Sequence, residues 1–148
     1  MRDGKAIVGG FGFAVLIGCS FLFGAVCSGL SGFSGMWVSV RSNIRVAQAA
    51  RNSYNLALQI AFKGGYFGAA INIALAIFGV SVLYIVFYKY LLQAGANPID
   101  HLELIPLLMV GFGFGASFVA MFAQLGGGIY TKAADVGADL VGKLEKDF

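Results

Sequence analysis

Charge is what this chain of 148 residues most clearly lacks, since only 11% of its residues are charged. Soluble domains carry about 25% charged residues, whereas here 59% of the residues are hydrophobic and the mean hydropathy is +0.83. The composition therefore excludes an ordinary soluble domain. It predicts an integral membrane protein that crosses the bilayer several times, and we expect no nucleic-acid partner.

Nitrogen and sulfur ligands for metals are also scarce. The chain has two cysteines, Cys19 and Cys27, and one histidine, His101. No CxxC motif or neighbouring histidine accompanies the cysteines, so we expect small buried apolar residues rather than a zinc site or a disulfide. His101 stands alone in a polar connection, where a solvated side chain is expected rather than a ligand or a proton relay.

Long uncharged segments make up most of the chain. Three of them contain no Asp, Glu, Lys, Arg or His: Ala6–Val40, Gly64–Tyr88 and Leu104–Thr131. Each exceeds the roughly 20 residues that cross about 30 Å of hydrocarbon. We therefore predict an all-α, polytopic transmembrane bundle with three helices, over about residues 6–40, 56–92 and 104–145. The first run would extend about 52 Å as a helix, so it must tilt, kink or project into water near Trp37.

Glycines recur at helical spacing inside these runs. Gly64 with Gly68, and Gly111 with Gly115, form small-xxx-small pairs that let helices approach closely. The stretch "GFGFGA" at 111–116 also matches the G-x-G-x-x-G/A pattern of dinucleotide-binding loops. No strand precedes it, and it lies within an apolar run. We therefore expect helix packing there rather than nucleotide binding.

The charges between the uncharged runs predict the orientation. The first connection carries Arg41, Arg45, Arg51 and Lys63 without any acidic residue, whereas the second mixes both signs. The positive-inside rule places the first connection in the cytoplasm, so the third helix ends there too. Tyrosines then mark the outer interface: Tyr84, Tyr88 and Tyr90. The basic connection is explained by this topological signal, with a specific site for an anionic lipid or a nucleotide as the alternative.

A charged cluster ends the third apolar run. Lys132, Asp135, Asp139 and Lys143 fall within about 80° on one helix face, and the two aspartates are about 40° apart. Like charges at this spacing destabilise a helix by roughly 0.2–0.5 kcal/mol, so a cation is expected to offset the repulsion. Carboxylates without histidine or cysteine suit Mg²⁺ bound together with phosphates, and Lys132 can hold a phosphate oxygen. The alternative is a juxtamembrane helix whose charges are solvated or paired internally.

The whole stretch around the cluster is more specific than its spacing. "GGGIYTKAADVGADLVGK" closely resembles the signature of the membrane-bound, ion-pumping pyrophosphatases, and "GFGFGASFVAMFAQLGGG" resembles the helix that carries it. "FLFGAVCSGLSGFSGMWVSVRSNIRVAQAAR" is similar to an earlier helix and basic loop of that family. The resemblance covers nearly the full chain, although Met1–Gly18 and Leu91–Pro106 match only in character.

The resemblance implies a homodimeric pump of roughly sixteen transmembrane helices that couples cytoplasmic Mg-pyrophosphate hydrolysis to export of H⁺ or Na⁺. Lys132 would bind pyrophosphate with Lys143 as a helper, while Asp135 and Asp139 would hold it through Mg²⁺. K⁺ is a candidate second cofactor, and the membrane would be the inner membrane of a prokaryotic cell. No catalytic residue is assigned within this chain, since the remaining acidic motifs of the family lie beyond Phe148. The chain would then be an internal piece, inactive alone.

One position departs from the family pattern. Eight residues before the signature lysine, many members of the family have an arginine of the ion gate, and here the residue is Gln124. An amide can form hydrogen bonds but cannot neutralise a gate carboxylate. A second hypothesis for the chain is a small non-enzymatic membrane protein that associates through its glycine-rich faces and uses its charged end as a cytoplasmic anchor.

Overall fold

The computed structural model of the protein describes residues 10–93 and 98–145, and the side chains of 98–102 are not described. It contains three helices: α1 (Gly10–Ala50), α2 (Tyr54–Gln93) and α3 (Pro98–Glu145). No strand occurs in the described part of the chain. By length and composition, all three helices can cross a membrane. The predicted all-α bundle of three membrane-spanning helices is therefore confirmed.

The helices run further than the uncharged segments predicted. α1 has 41 residues and continues without interruption through Arg41 and Arg45, which the sequence assigned to a connection. The connection is only a tight turn, in which the backbone N–H groups of Asn52 and Ser53 donate to the Ala49 carbonyl at 3.0 and 2.9 Å. The excess length of α1 must therefore be taken up by tilt or by projection past the bilayer surface.

The expected loop position of His101 is wrong, because α3 already begins at Pro98. A proline in the first helical turn has no N–H to lose and a φ angle suited to the helix, which explains this early start. The backbone of His101 is thus helical.

Helix α1 packs against both other helices. It runs antiparallel to α2, where the Ser31 hydroxyl donates to the Asn72 side-chain carbonyl at 3.1 Å. It runs parallel to α3, where the buried Ser20 hydroxyl donates to the backbone carbonyl of Leu108 at 2.9 Å. The buried core lies at the end of the bundle where α1 and α3 begin and α2 ends: Cys27, Leu83, Phe87, Leu91, Ile105, Leu108 and Phe112.

Glycines allow the close approach of α1 and α3, as their spacing predicted. A Cβ on Gly111 would lie 2.5 Å from the carbonyl oxygen of Ile17, and one on Gly115 would collide with that of Phe21. Gly64 and Gly68 play the same part on α2, facing Ser42 and Gly35 of α1. The interpretation of 111–116 as a packing segment agrees with this arrangement.

Both cysteines are free, so the structure contains no disulfide between them. Cys27 lies in the core, but Cys19 is exposed, which corrects the expectation that both are buried. Cys19 precedes the fully buried Ser20, and one residue turns a helix by about 100°. Its side chain therefore points away from the packed face of α1.

Candidate functional site

The predicted site lies on the last turns of α3. Lys132, Asp135, Asp139 and Lys143 are all exposed, on a helix that continues unbroken to Glu145. Alanines favour the helix here, since Ala133, Ala134 and Ala138 have the highest intrinsic helix propensity. The site is therefore built on one rigid element rather than on a loop.

A glycine triplet precedes the site, at 126–128. Each glycine costs roughly 1 kcal/mol relative to alanine in a helix, so the intrinsic helix propensity of this segment is low. The hydroxyl of Thr131 donates to the carbonyls of Gly127 and Gly128 at 3.1 and 3.0 Å. Such bonds to the preceding turn supply an extra partner to carbonyls that glycine leaves open to water. The sequence interpretation missed Thr131, although a threonine directly after three glycines was a visible signal.

The four charged residues share one helix face. Asp135 and Asp139 are one turn apart, about 6 Å along the axis, and Lys132 and Lys143 flank them about 17 Å apart. None of the four forms an ion pair with another described residue. The alternative of internally paired charges is therefore not what the structure contains. The two carboxylates and two ammonium groups are open to a ligand or to solvent.

The described residues supply only part of the ligand set that a metal ion needs. Within residues 10–93 and 98–145 no group of three or more Asp, Glu, His or Cys side chains could hold a metal ion. Mg²⁺ prefers six oxygen ligands and commonly takes only one or two carboxylates, with water and phosphate oxygens completing its shell. Asp135 and Asp139 therefore suit Mg²⁺ as two of its oxygen ligands. A phosphate-bearing substrate or further carboxylates would have to supply other ligands of the ion.

Gln124 lies on the same side of α3 as the carboxylates. It is exposed, precedes Lys132 by about 12 Å of helix, and is turned by only about 20° from Asp135. No hydrogen bond joins its amide to another described residue. The amide is thus positioned beneath the charged cluster, toward the apolar part of α3.

The basic residues of α1 and α2 lie at the same end of the bundle as this cluster. That placement follows from the parallel course of α1 and α3, and it agrees with the predicted orientation. Arg41 also stacks over the ring of Trp37, with its guanidinium carbon 3.6 Å from the ring centroid. The sequence interpretation did not identify this contact, although the i to i+4 spacing allows it.

Comparison with known proteins gives consistent matches. A profile of the inorganic H⁺ pyrophosphatase family matches residues 5–148. The pyrophosphate-energized membrane proton pump 3 of Arabidopsis thaliana is 58% identical over 85% of this chain, which spans 16% of that relative. The K(+)-insensitive pyrophosphate-energized proton pump of Caldanaerobacter subterraneus is 56% identical over 90% of the chain and 18% of its own length.

A third relative is somewhat less similar. The K(+)-insensitive pyrophosphate-energized proton pump of Methanosarcina mazei is 48% identical over 87% of the chain and 17% of its own length. The chain thus spans less than a fifth of the length of these relatives. No solved structure matches it.

Proposed function

Because the chain belongs to the inorganic H⁺ pyrophosphatase family, we propose that it forms part of a multi-pass membrane pump that couples pyrophosphate hydrolysis to proton export. The family resemblance found in the sequence is confirmed by these matches, and the three membrane-spanning helices agree with an integral membrane protein. The observation that carries the proposal is the charged face of α3, which lies within the family match over residues 5–148.

The cluster on α3 supplies part of a Mg-pyrophosphate site. Asp135 and Asp139 would hold Mg²⁺, which would supply positive charge to neutralise the phosphate oxygens of the substrate. Lys132 donates to a phosphate oxygen as a compact cation, and Lys143 assists from further along the same helix face. The fixed spacing of these groups on one helix orients the substrate, because phosphoryl transfer depends mostly on positioning and charge stabilisation. Residues outside this chain activate the attacking water.

The relatives' names guide the choice of ions. All three are called proton pumps, and two of them K(+)-insensitive. We therefore propose H⁺ rather than Na⁺ as the exported ion, with no stimulation by K⁺. Gln124 belongs to the ion gate beneath the site, where it contributes hydrogen bonds instead of the charge of an arginine. The whole protein is proposed to be a homodimer, located in the inner membrane if its host is a prokaryote.

A chimera tests the proposal. The matching segment of the Caldanaerobacter subterraneus pump is replaced by this chain, and the chimera is expressed and reconstituted in vesicles. We expect Mg²⁺-dependent phosphate release and pyrophosphate-driven proton uptake, both without added K⁺. A chimera that assembles at normal levels but neither hydrolyses pyrophosphate nor moves protons would contradict the proposal and would favour the non-enzymatic alternative.

A further inference from the structure

Four cations lie in the last turns of α1, the first turns of α2 and the turn between them, on helices that carry no carboxylate. No acidic residue occurs between Asp3 and Asp100, so α1 and α2 themselves carry no negative side chain. The cations are Arg41, Arg45, Arg51 and Lys63, all of them exposed. None forms an ion pair with another residue of the described part of the chain. Their charge is therefore available to an anion from outside this chain.

The packing of α1 on α2 brings two of these cations to one side of the helix pair. Gly64 faces Ser42, because a Cβ on Gly64 would lie 2.8 Å from the Ser42 hydroxyl oxygen. Arg41 and Lys63 each directly precede one of these contact residues. In an antiparallel pair, the residues that precede the contact on each helix project from the same side of the pair, since each step turns the helix by about 100°.

Arg45 extends the same group. It follows Arg41 by one turn, about 40° around α1 and toward α2. Arg41, Arg45 and Lys63 thus form a basic face on the α1–α2 pair, which we call the basic face below. Arg51 is separate from it, in the turn about 15 Å beyond Arg41 along the axis.

Arg41 is already held in place on the basic face. Its guanidinium stacks on Trp37 at 3.6 Å from the ring centroid, and one of its nitrogens donates to the Trp37 carbonyl at 3.4 Å. A cation on an aromatic ring gains about 0.5–1 kcal/mol at exposed sites. The stack leaves the remaining N–H groups of the guanidinium unpaired among described residues, and a planar fork of donors suits phosphate oxygens.

The position of the basic face along the helix axes indicates that its ligand is a lipid. The uncharged run of the first helix ends at Val40 and that of the second begins at Gly64, and the Ser42–Gly64 contact puts these two ends side by side. A bilayer that covers both runs therefore has its surface at the basic face. Trp37 lies one turn inside, where tryptophan prefers the interface between headgroups and hydrocarbon, and it is 51% exposed.

We propose that Arg41, Lys63 and Arg45 form a binding site for the phosphate of an anionic phospholipid. Trp37 would contact the part of the lipid's acyl chains that lies next to the headgroup. This site lies on α1 and α2 and is separate from the charged face of α3. This proposal differs from the positive-inside signal that sets the orientation of the helices, since a binding site requires particular cations in contact with one headgroup. A diffuse attraction depends only on how many positive charges lie near the surface.

The single tryptophan of the chain reports on the site. The 148-residue chain is reconstituted in phosphatidylcholine vesicles that contain, at equal mole fraction, either dibrominated phosphatidylglycerol or dibrominated phosphatidylcholine. Bromine on the acyl chains quenches tryptophan only at close range. We expect phosphatidylglycerol to bind beside Trp37 at least about fivefold more tightly than phosphatidylcholine. One cation near an anionic membrane surface contributes about 1 kcal/mol, which corresponds to that factor.

Charge-matched variants separate a site from diffuse attraction. Lys63→Gln and Arg45→Gln leave Trp37 and its stacked Arg41 intact, and each should lower the phosphatidylglycerol preference about fivefold or remove it. Arg51→Gln removes the same charge from the same end of the bundle and should leave the preference unchanged. An equal loss in Arg51→Gln and Lys63→Gln, or no loss in Lys63→Gln and Arg45→Gln, would overturn the proposal.

Soluble anions are the competing source of phosphate. Inorganic phosphate and pyrophosphate are therefore added to the vesicles at constant ionic strength. The lipid proposal expects the preference for phosphatidylglycerol to survive. Displacement of the lipid by either anion, prevented by Lys63→Gln, would show that the basic face binds a free phosphate and not a headgroup. This result does not depend on hydrolysis, so it is independent of the function proposed for α3.

Discussion

At the scale of single residues, the structure distinguishes side chains that stabilise the bundle from those that remain available for chemistry. Ser20, Cys27 and Phe112 are buried between helices, whereas Lys132, Asp135 and their neighbours on α3 are open to the outside. Substitutions of the open residues should therefore change function with little change in stability. Their effects on activity can be interpreted as effects on the site itself.

Replacing either aspartate should abolish most hydrolysis. In the chimeric pump, Asp135→Asn or Asp139→Asn removes a charged Mg²⁺ ligand, and we expect phosphate release to fall by about 10²-fold or more. The helix should become no less stable, because the change relieves a like-charge pair that costs roughly 0.2–0.5 kcal/mol. Phosphate release and thermal unfolding are measured on each purified variant. Near-normal hydrolysis in either variant would refute the ligand assignment.

Lys132→Met serves as the contrasting variant. It deletes a cation that pairs with phosphate but is not a metal ligand. We expect weaker binding of pyrophosphate while Mg²⁺ alone binds as before, as measured by calorimetric titration of each ligand. A parallel loss of Mg²⁺ binding would mean that Lys132 shapes the site instead of contacting the substrate.

Replacing Gln124 should impair proton transport more than substrate binding. It lies about 12 Å from Lys132 along α3, too far to contact a phosphate held there. In the chimeric pump, Gln124→Ala should lower proton uptake per pyrophosphate hydrolysed while the KM for Mg-pyrophosphate stays within about twofold. Uptake and hydrolysis are recorded on the same vesicles. A raised KM with unchanged coupling would contradict this placement.

At the scale of helices, the contacts explain why α3 is packed at one end and open at the other. The glycines that allow close approach, Gly111 and Gly115, lie in its first half and contact α1. Side chains from 127 to 141 are all exposed. The half that carries the charged cluster thus contributes little to holding these three helices together.

Two glycines two residues apart should respond oppositely to alanine. A Cβ on Gly115 would collide with the carbonyl of Phe21, whereas one on Gly113 meets nothing within 4 Å. Gly115→Ala should therefore destabilise the chain by about 1–3 kcal/mol, while Gly113→Ala should stabilise it by up to roughly 1 kcal/mol through helix propensity. Unfolding in a denaturing detergent measures both. Equal effects of the two variants would mean that α1 and α3 are not in contact there.

At the scale of the whole molecule, the parallel course of α1 and α3 puts both charged regions at one end. The basic face of the α1–α2 pair and the cluster at 132–143 then lie on the same side of the membrane. The excess of arginine and lysine there predicts that this side faces the cytoplasm. Cytoplasmic pyrophosphate would then reach the cluster directly.

Cysteine labelling tests this orientation. In a background with Cys19 and Cys27 replaced by alanine, a cysteine at Asn52 should react with a membrane-impermeant maleimide only from the cytoplasmic side. A cysteine at Gln93, at the opposite end of α2, should react only from outside. The reversed pattern would leave Lys132 and the aspartates in the wrong compartment for cytoplasmic pyrophosphate.

The sequence by itself determined the number of membrane helices, the fold class, the family and the shared face of Lys132, Asp135 and Asp139. These features are local: an uncharged run long enough to cross a bilayer must form a helix to satisfy its backbone, and helical periodicity then sets which residues share a face. The small-xxx-small glycines likewise identified close helix contacts in advance.

Only the tertiary structure decided where the helices end and which residues meet across them. The sequence placed Arg41 and Arg45 in a loop, because charge marks the edge of the membrane but not the end of a helix, which can continue into water. Lys63 and Arg41 are 22 positions apart in the chain, and only the antiparallel contact at Gly64 brings them to one side. Packing between helices depends on residues distant in sequence, so no local pattern could reveal the basic face.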